Sequence, residues 1–210
     1  MKVTIIGSGN MGAAFAKLLT RSGHQVRIVG RRADKASAVA AANRGASAVA
    51  ATHAADGADV VIVATGYSDA VPALSALGSL DGKVVVDVTN PLTADYMGLT
   101  VGHTTSAGEE IATALPGADV VKAFNTVFAQ VLADGPDFAN GETAPVFLAS
   151  DSAPAKEVVR SLVESTGFRA VDAGALKNAR YLEPLAGLNI YLGYGAGLGT
   201  GIAPTWIHRA

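Results

Sequence analysis

Gly7, Gly9 and Gly12 stand in the order G-x-G-x-x-G, between the strand-like run VTII and a stretch that reads as a helix. This pattern can bind a pyrophosphate. The first glycine allows a tight turn, the second lets backbone approach the phosphates, and the third lets helix pack on strand, while free helical N–H groups face the anion. Glycine is abundant, 24 of 210 residues, so the motif gains its meaning from its context of strand before and helix after.

A second group of residues refines that chemistry. At the end of the next strand, HQVRIVG, many dinucleotide folds place a carboxylate that binds the ribose hydroxyls. Gly30 holds this corner, followed by Arg31, Arg32 and, one turn on, Lys35. Guanidinium groups offer paired donors matched to phosphate oxygens. Cations are disfavoured at a helix start unless an anion is there. The corner therefore reads as a site for the 2′-phosphate of NADP(H) rather than as a solvated basic helix start.

The remaining site residues follow from topology, because ligands of such folds bind beyond the carboxyl ends of the strands. Ala64, Thr65 and Gly66 are expected along the middle of the dinucleotide. Thr89, Asn90 and Pro91 are expected near the nicotinamide ribose, and Asn125 and Thr126 near its ring. No catalytic acid or base stands out. Y-x-x-x-K is absent, and His24, His53, His103 and His208 make no metal-binding spacing. Lys122 and Asn125 are three residues apart on a strand, where side chains diverge, so Lys122 reads as structural or surface. Reduction of a carbonyl by hydride normally needs an acid. Reduction of a flavin-like ring does not, since the heterocycle spreads the charge and solvent can supply the proton.

The elements that must position these residues alternate as strand and helix along most of the chain. This pattern predicts an α/β fold, a Rossmann doubly wound and mainly parallel sheet, over residues 1–133. ADVVIVATG reads as a strand buried on both faces. The turn-rich stretch ADGPDFANGETAP reads as a hinge. A small C-terminal α/β lobe is expected at 144–210, its helix capped by Asp151 or Ser152. Apolar residues at 182, 185, 186 and 192 fit one face of a final helix.

Bulk composition sets limits. The balance of 16 basic against 18 acidic residues gives a net charge of −2, with no basic surplus for nucleic acid. Cysteine is absent, which excludes disulfides and thiolate chemistry and suits the cytoplasm. Residues 185–207 carry no charge but contain six glycines and a proline, a poor membrane span. This segment is too apolar for a solvated surface, so burial in a homodimer interface or under the acceptor pocket is expected.

The stretches KVTIIGSGNMG, VGRRADK, VVDVTNP, VVKAFNT and GLGTGIAPTW together resemble the NADPH:F-420 oxidoreductase family, over nearly the whole chain. The cytosolic reductase domain of the six-transmembrane epithelial metalloreductases looks similar too. The resemblance implies hydride transfer between NADP and the deazaflavin coenzyme F-420, or a flavin-type acceptor, by a homodimer. It implies that Ser8, Gly9, Asn10 and Met11 hold the pyrophosphate and Arg31, Arg32 and Lys35 the 2′-phosphate. It implies an acceptor pocket of Asn125, Thr126 and Val127 with Leu198, Gly199 and Thr200. Two other readings compete: an imine or pyrroline-5-carboxylate reductase, which shares IIGSGNMG, and a non-enzymatic NADP sensor.

Overall fold

Val60 and Ile62 face one hydrophobic core, while their neighbours Val61 and Val63 face another. A strand whose alternate residues enter two cores must be covered on both sides. The computed structural model describes residues 1–139, 141–207 and 209. His208, named above, lies outside the described residues.

The first half alternates β1 (Lys2–Ile6), α1 (Asn10–Arg21), β2 (Gln25–Val29), α2 (Ala33–Ala41), β3 (Ala46–Ala48), β4 (Val60–Val63), α3 (Tyr67–Ser75) and β5 (Val84–Asp87). Then come α4 (Ala107–Ala114) and β6 (Asp119–Lys122). Among the described residues these six strands form one sheet in the order β3-β2-β1-β4-β5-β6, every pair parallel. The order reverses between β1 and β4, and a ligand crevice opens at such a switch point. Ser106 caps α4, its Oγ accepting the Glu109 N–H at 3.2 Å and donating to Glu109 Oε2 at 2.7 Å, a reciprocal cap that fixes where the helix begins.

The chain continues through α5 (Ala129–Asp134), β7 (Pro145–Leu148), α6 (Ala153–Ser165) and β8 (Arg169–Asp172). Ser152 caps α6, accepting the Ala155 N–H at 3.3 Å. Asp151 instead accepts the Leu176 N–H at 3.0 Å. Strands β7 and β8 pair in parallel, and β7 meets β6 antiparallel through paired backbone bonds of Lys122 and Ala149. Val159, Leu162 and Val163 of α6 enter the same core as Phe15 and Phe124. Phe124 packs edge-on against both Phe15 and Phe168, at 5.1 and 6.3 Å between centroids. The C-terminal lobe thus shares its core with the nucleotide-binding region. Between them, the turn-rich stretch folds back on itself: Phe138 N–H donates to the Glu142 carbonyl at 2.9 Å, and Ala144 N–H to that of Pro136 at 2.8 Å.

A short 3₁₀ turn at Leu176–Asn178 leads into α7 (Ala179–Ile190), which widens into a π-helical turn at Tyr191–Gly195. Leu182 and Ala186 are buried, whereas Leu185 is half-buried. Among the described residues no helix is long and apolar enough to cross a membrane.

Candidate active site

One cleft runs along the carboxyl ends of the strands in two lobes, joined at Gly9, Ala64, Thr65 and Gly66. The outer lobe, about 560 Å³, lies between the glycine turn and the corner after β2. The inner lobe, about 730 Å³, reaches α7.

The glycines have separable tasks. Gly7 adopts φ +117°, and a Cβ there would overlap the Ala64 carbonyl; only glycine fits both demands. A Cβ on Gly12 would overlap the Gly7 carbonyl, so α1 can pack this closely on β1 only through glycine. Gly9 has open space where its Cβ would be, and it faces the cleft at the head of α1, with no side-chain cap and no acidic residue in the first turn. Gly66 likewise heads α3 with open space at its Cβ and no side-chain cap, although Asp69 stands in that helix's first turn. Two uncapped helix starts therefore point free N–H groups at the middle of the cleft, where a pyrophosphate fits.

At the outer end, Arg31, Arg32 and Lys35 line the cavity with Ser8 and Gly30. A Cβ on residue 30 would fall 2.6 Å from Ser8 Oγ, so the glycine makes room for that hydroxyl. Arg31 reaches across to Asp69 of α3 at 3.3 Å. Arg32 forms two bonds with Asp34, at 3.2 and 2.6 Å. Both pairs are exposed. Such pairs contribute about 0–1 kcal/mol, so an incoming phosphate can take over the guanidinium groups. The residues fit the 2′-phosphate of NADP(H).

At the inner end, Asn90 and Asn125 bind reciprocally. Asn90 Nδ2 donates to the Asn125 carbonyl at 2.9 Å, and Asn125 Nδ2 donates to Asn90 Oδ1 at 3.0 Å and to the Leu182 carbonyl at 2.9 Å. Asn189 Nδ2 donates to the Thr126 carbonyl at 3.1 Å. The loop after β6 is thereby tied to the loop after β5 and to α7. Thr89 Oγ1, Asn125 Oδ1 and Thr126 Oγ1 are buried without a hydrogen-bond partner among the described residues. Unpaired buried acceptors and hydroxyls are costly, and Asn125 and Thr126 are residues of the inner lobe's wall.

Of the residues expected from sequence, the cleft brings together Gly7, Ser8, Gly9, Asn10, Met11, Gly30, Arg31, Arg32, Lys35, Ala64, Thr65, Gly66, Asn90, Asn125, Thr126 and Val127. Gly12, Thr89 and Pro91 lie behind its surface. Thr89 offers its carbonyl to Lys122 Nζ at 2.5 Å. Leu198 and Gly199 line neither lobe; their N–H groups donate to the carbonyls of Leu192 and Gly193. Thr200 lies in an adjoining groove, bonded to Gln130. His103 is exposed and outside the cleft.

Two wall residues escape a reading of the sequence, Tyr96 and Met97 in the long loop after β5, whereas Ala186, Ile190 and Tyr194 belong to the apolar segment expected in a dimer interface or under the acceptor pocket. The partners of the fully buried Lys122 escape that reading as well. Its Nζ lies 2.8 Å from Asp87 Oδ2 and 2.7 Å from Glu183 Oε1, and Glu183 also accepts the N–H groups of Ala107 and Gly108. Of the two roles open to Lys122, structural or surface, burial leaves the structural one. The Tyr67 hydroxyl bonds Glu110 and is pushed up to about 12, first by burial and then by that carboxylate. It is a poor proton donor.

A Rossmann sheet, a glycine turn beside two helix starts and a basic corner after β2 are the parts of an NADP-dependent oxidoreductase. Comparison with known proteins narrows the class. The family described as "NADP oxidoreductase coenzyme F420-dependent" matches residues 2–91. The F420-dependent NADP reductase of Methanothermobacter marburgensis is 32% identical over 91% of this chain and 92% of its own length. A solved structure from Arthrobacter sp. FB24, provisionally assigned as an F420-dependent NADP-reductase, has a TM-score of 0.89 at 32% identity and covers 99% of this chain and 100% of that one. The chain belongs to the F420-dependent NADP reductase family. The rat metalloreductase STEAP3 is also 32% identical, over 88% of this chain; the chain spans 36% of that protein's length.

Proposed function

We propose that the protein transfers a hydride between NADPH and coenzyme F-420, with flavin rings as poorer acceptors, and that it works in the cytoplasm as a homodimer. The observation that carries this reading is the character of the inner lobe. It is walled by Met97, Val127, Phe128 and Tyr194, with amides at Asn90 and Asn125. Its one charged wall residue, Asp95, is exposed. That wall suits a flat heterocycle and offers no buried acid or base.

Bound NADPH supplies the hydride. The protein's part is binding and orientation. Arg31, Arg32 and Lys35 hold the 2′-phosphate, and the starts of α1 and α3 hold the pyrophosphate. Asn125 and Thr126, in the wall of the inner lobe, would hold and orient the carboxamide. Phe128, Val127 and Tyr194 exclude water and pack against the acceptor. Support for a homodimer comes from the apolar stripe Tyr181, Pro184, Leu188 and Tyr191, exposed at helical spacing along α7 and its extension.

The test is NADPH oxidation with F-420, FMN, FAD and a small cyclic imine under identical conditions. The expected result is the highest kcat/KM with F-420 and slower turnover with flavins. Turnover of the imine alone would make this an imine reductase. Tight NADPH binding without turnover of any acceptor would make it a sensor.

A further inference from the structure

The inner lobe does not end at the acceptor ring. At Asn10, Phe128, Ala129 and Tyr194 it opens into a second cavity of about 440 Å³, which runs between α1 and α5 under Thr200. Phe128 and Tyr194, packed edge-on at 5.8 Å, form the junction. Thr200 Oγ1 donates to Gln130 Oε1 at 2.5 Å, an exposed bond between two residues of the groove's wall.

The groove carries a charge that the fold does not use. Lys17 lines it and is half-buried, yet its ammonium makes no hydrogen bond or ion pair among the described residues. Every other wall residue of this groove is uncharged. Arg21 follows one turn later on α1, so the two cations share a face at i and i+4. The inner lobe offers only the acidic Asp95. An anionic extension of the acceptor would therefore be repelled at the rim of the inner lobe and attracted along α1.

We infer that this groove is a subsite for the anionic side chain of the acceptor, with Lys17 as its principal contact and Arg21 beyond it. The inference rests on the deazaflavin reading above. Coenzyme F-420 carries a phosphodiester and a run of carboxylates on its ribityl chain, whereas its bare chromophore, 8-hydroxy-5-deazariboflavin, carries neither. The ring would occupy the inner lobe in both, and only the coenzyme would reach the groove.

The experiment compares the KM of F-420 and of the bare chromophore in the wild type, Lys17→Ala and Lys17→Glu, at low and high salt. In the wild type F-420 is expected to have the lower KM, and added salt to narrow the gap. Lys17→Ala should raise the F-420 KM about threefold and Lys17→Glu about tenfold. The KM of the bare chromophore and that of NADPH should not change. Equal KM values for the two acceptors in the wild type, or a parallel rise for both in Lys17→Glu, would overturn the subsite while leaving the deazaflavin reading intact. Failure of both acceptors to turn over would remove that reading, and the subsite with it.

Discussion

Lys122 Nζ lies 2.7 Å from Glu183 Oε1, and neither side chain reaches solvent. The pair joins the end of β6 to α7. With Asp87 at 2.8 Å and the Thr89 carbonyl at 2.5 Å, the ammonium also holds the end of β5. The three strand and helix ends that frame the inner lobe thus meet at one buried cation. Removing it leaves two buried carboxylates without a counter-charge, at a cost of about 3–5 kcal/mol. Lys122→Met should lower the melting temperature by about 6–20 °C for a chain of this size. A shift below about 2 °C in a thermal melt would show that the pair adds nothing to the fold.

The proposed function assigns cofactor choice to the corner after β2. Charge-assisted hydrogen bonds contribute about 1.5–3 kcal/mol, so Arg31→Ala should weaken NADPH binding roughly ten- to a hundredfold and leave NADH unaffected. Asp69 competes for the same guanidinium at 3.3 Å. Asp69→Asn should therefore strengthen NADPH binding, by about two- to fivefold at low salt. Titration calorimetry with both cofactors separates these outcomes. Equal losses for NADPH and NADH in Arg31→Ala would mean that the arginine does not read the 2′-phosphate.

Much of this was legible because it is local. The glycine turn, the apolar run at 60–63 and the basic corner each fall within a few residues, and their periodicity declares strand or helix. What the sequence hid is long-range or short-lived. Lys122 and Glu183 are 61 positions apart, and nothing in either neighbourhood names the other. The same holds for Arg31 and Asp69. Helix α5 spans only six residues, Ala129–Asp134, too few for a helical period to emerge. Tyr96 and Met97 reach the cleft from an irregular loop that no periodicity describes. The family resemblance places Leu198 and Gly199 in the acceptor pocket, but after the π-helical turn at Tyr191–Gly195 they line neither lobe, and Tyr194 stands beside Phe128.

Stability should respond to mild acid through His24. Its Nδ1 accepts from the Met1 ammonium at 3.0 Å and its Nε2 meets Ser165 Oγ at 2.8 Å. Burial, and then the neighbouring ammonium, hold its pKa below the ordinary 6.5. The folded state therefore prefers the neutral ring, whereas the unfolded chain protonates near 6.5. The stabilisation is complete above that pH and is lost as pH falls toward the lowered value, with a slope of at most about 1.4 kcal/mol per pH unit. Melting temperatures from pH 8 to pH 5 should decline more steeply in the wild type than in His24→Gln. Parallel curves would contradict the assignment.

Asn125 is expected to orient rather than to transfer protons. Asn125→Ala breaks its bonds to Asn90 and to the Leu182 carbonyl. It should lower turnover by about tens of fold through misplacement, at roughly 1.4 kcal/mol per factor of ten, with the pH–rate profile unchanged in shape. His103 is exposed and outside the cleft, so His103→Ala should leave turnover unchanged. If that substitution abolished turnover and changed the shape of the pH–rate profile, an acid-catalysed reduction of a carbonyl or imine would replace the present account.

The central claim is direct hydride transfer from the nicotinamide to a deazaflavin ring, and isotopic labelling tests it most directly. Each of the two epimers of C4-deuterated NADPH would be mixed with F-420 and the wild-type protein in ordinary water. The carbon that receives the hydride in a deazaflavin does not exchange with solvent, so a transferred label persists. The account predicts that one epimer delivers its deuterium wholly to the ring of reduced F-420 and the other delivers none. Loss of the label to water, delivery from both epimers alike, or no reduction of F-420 would contradict it.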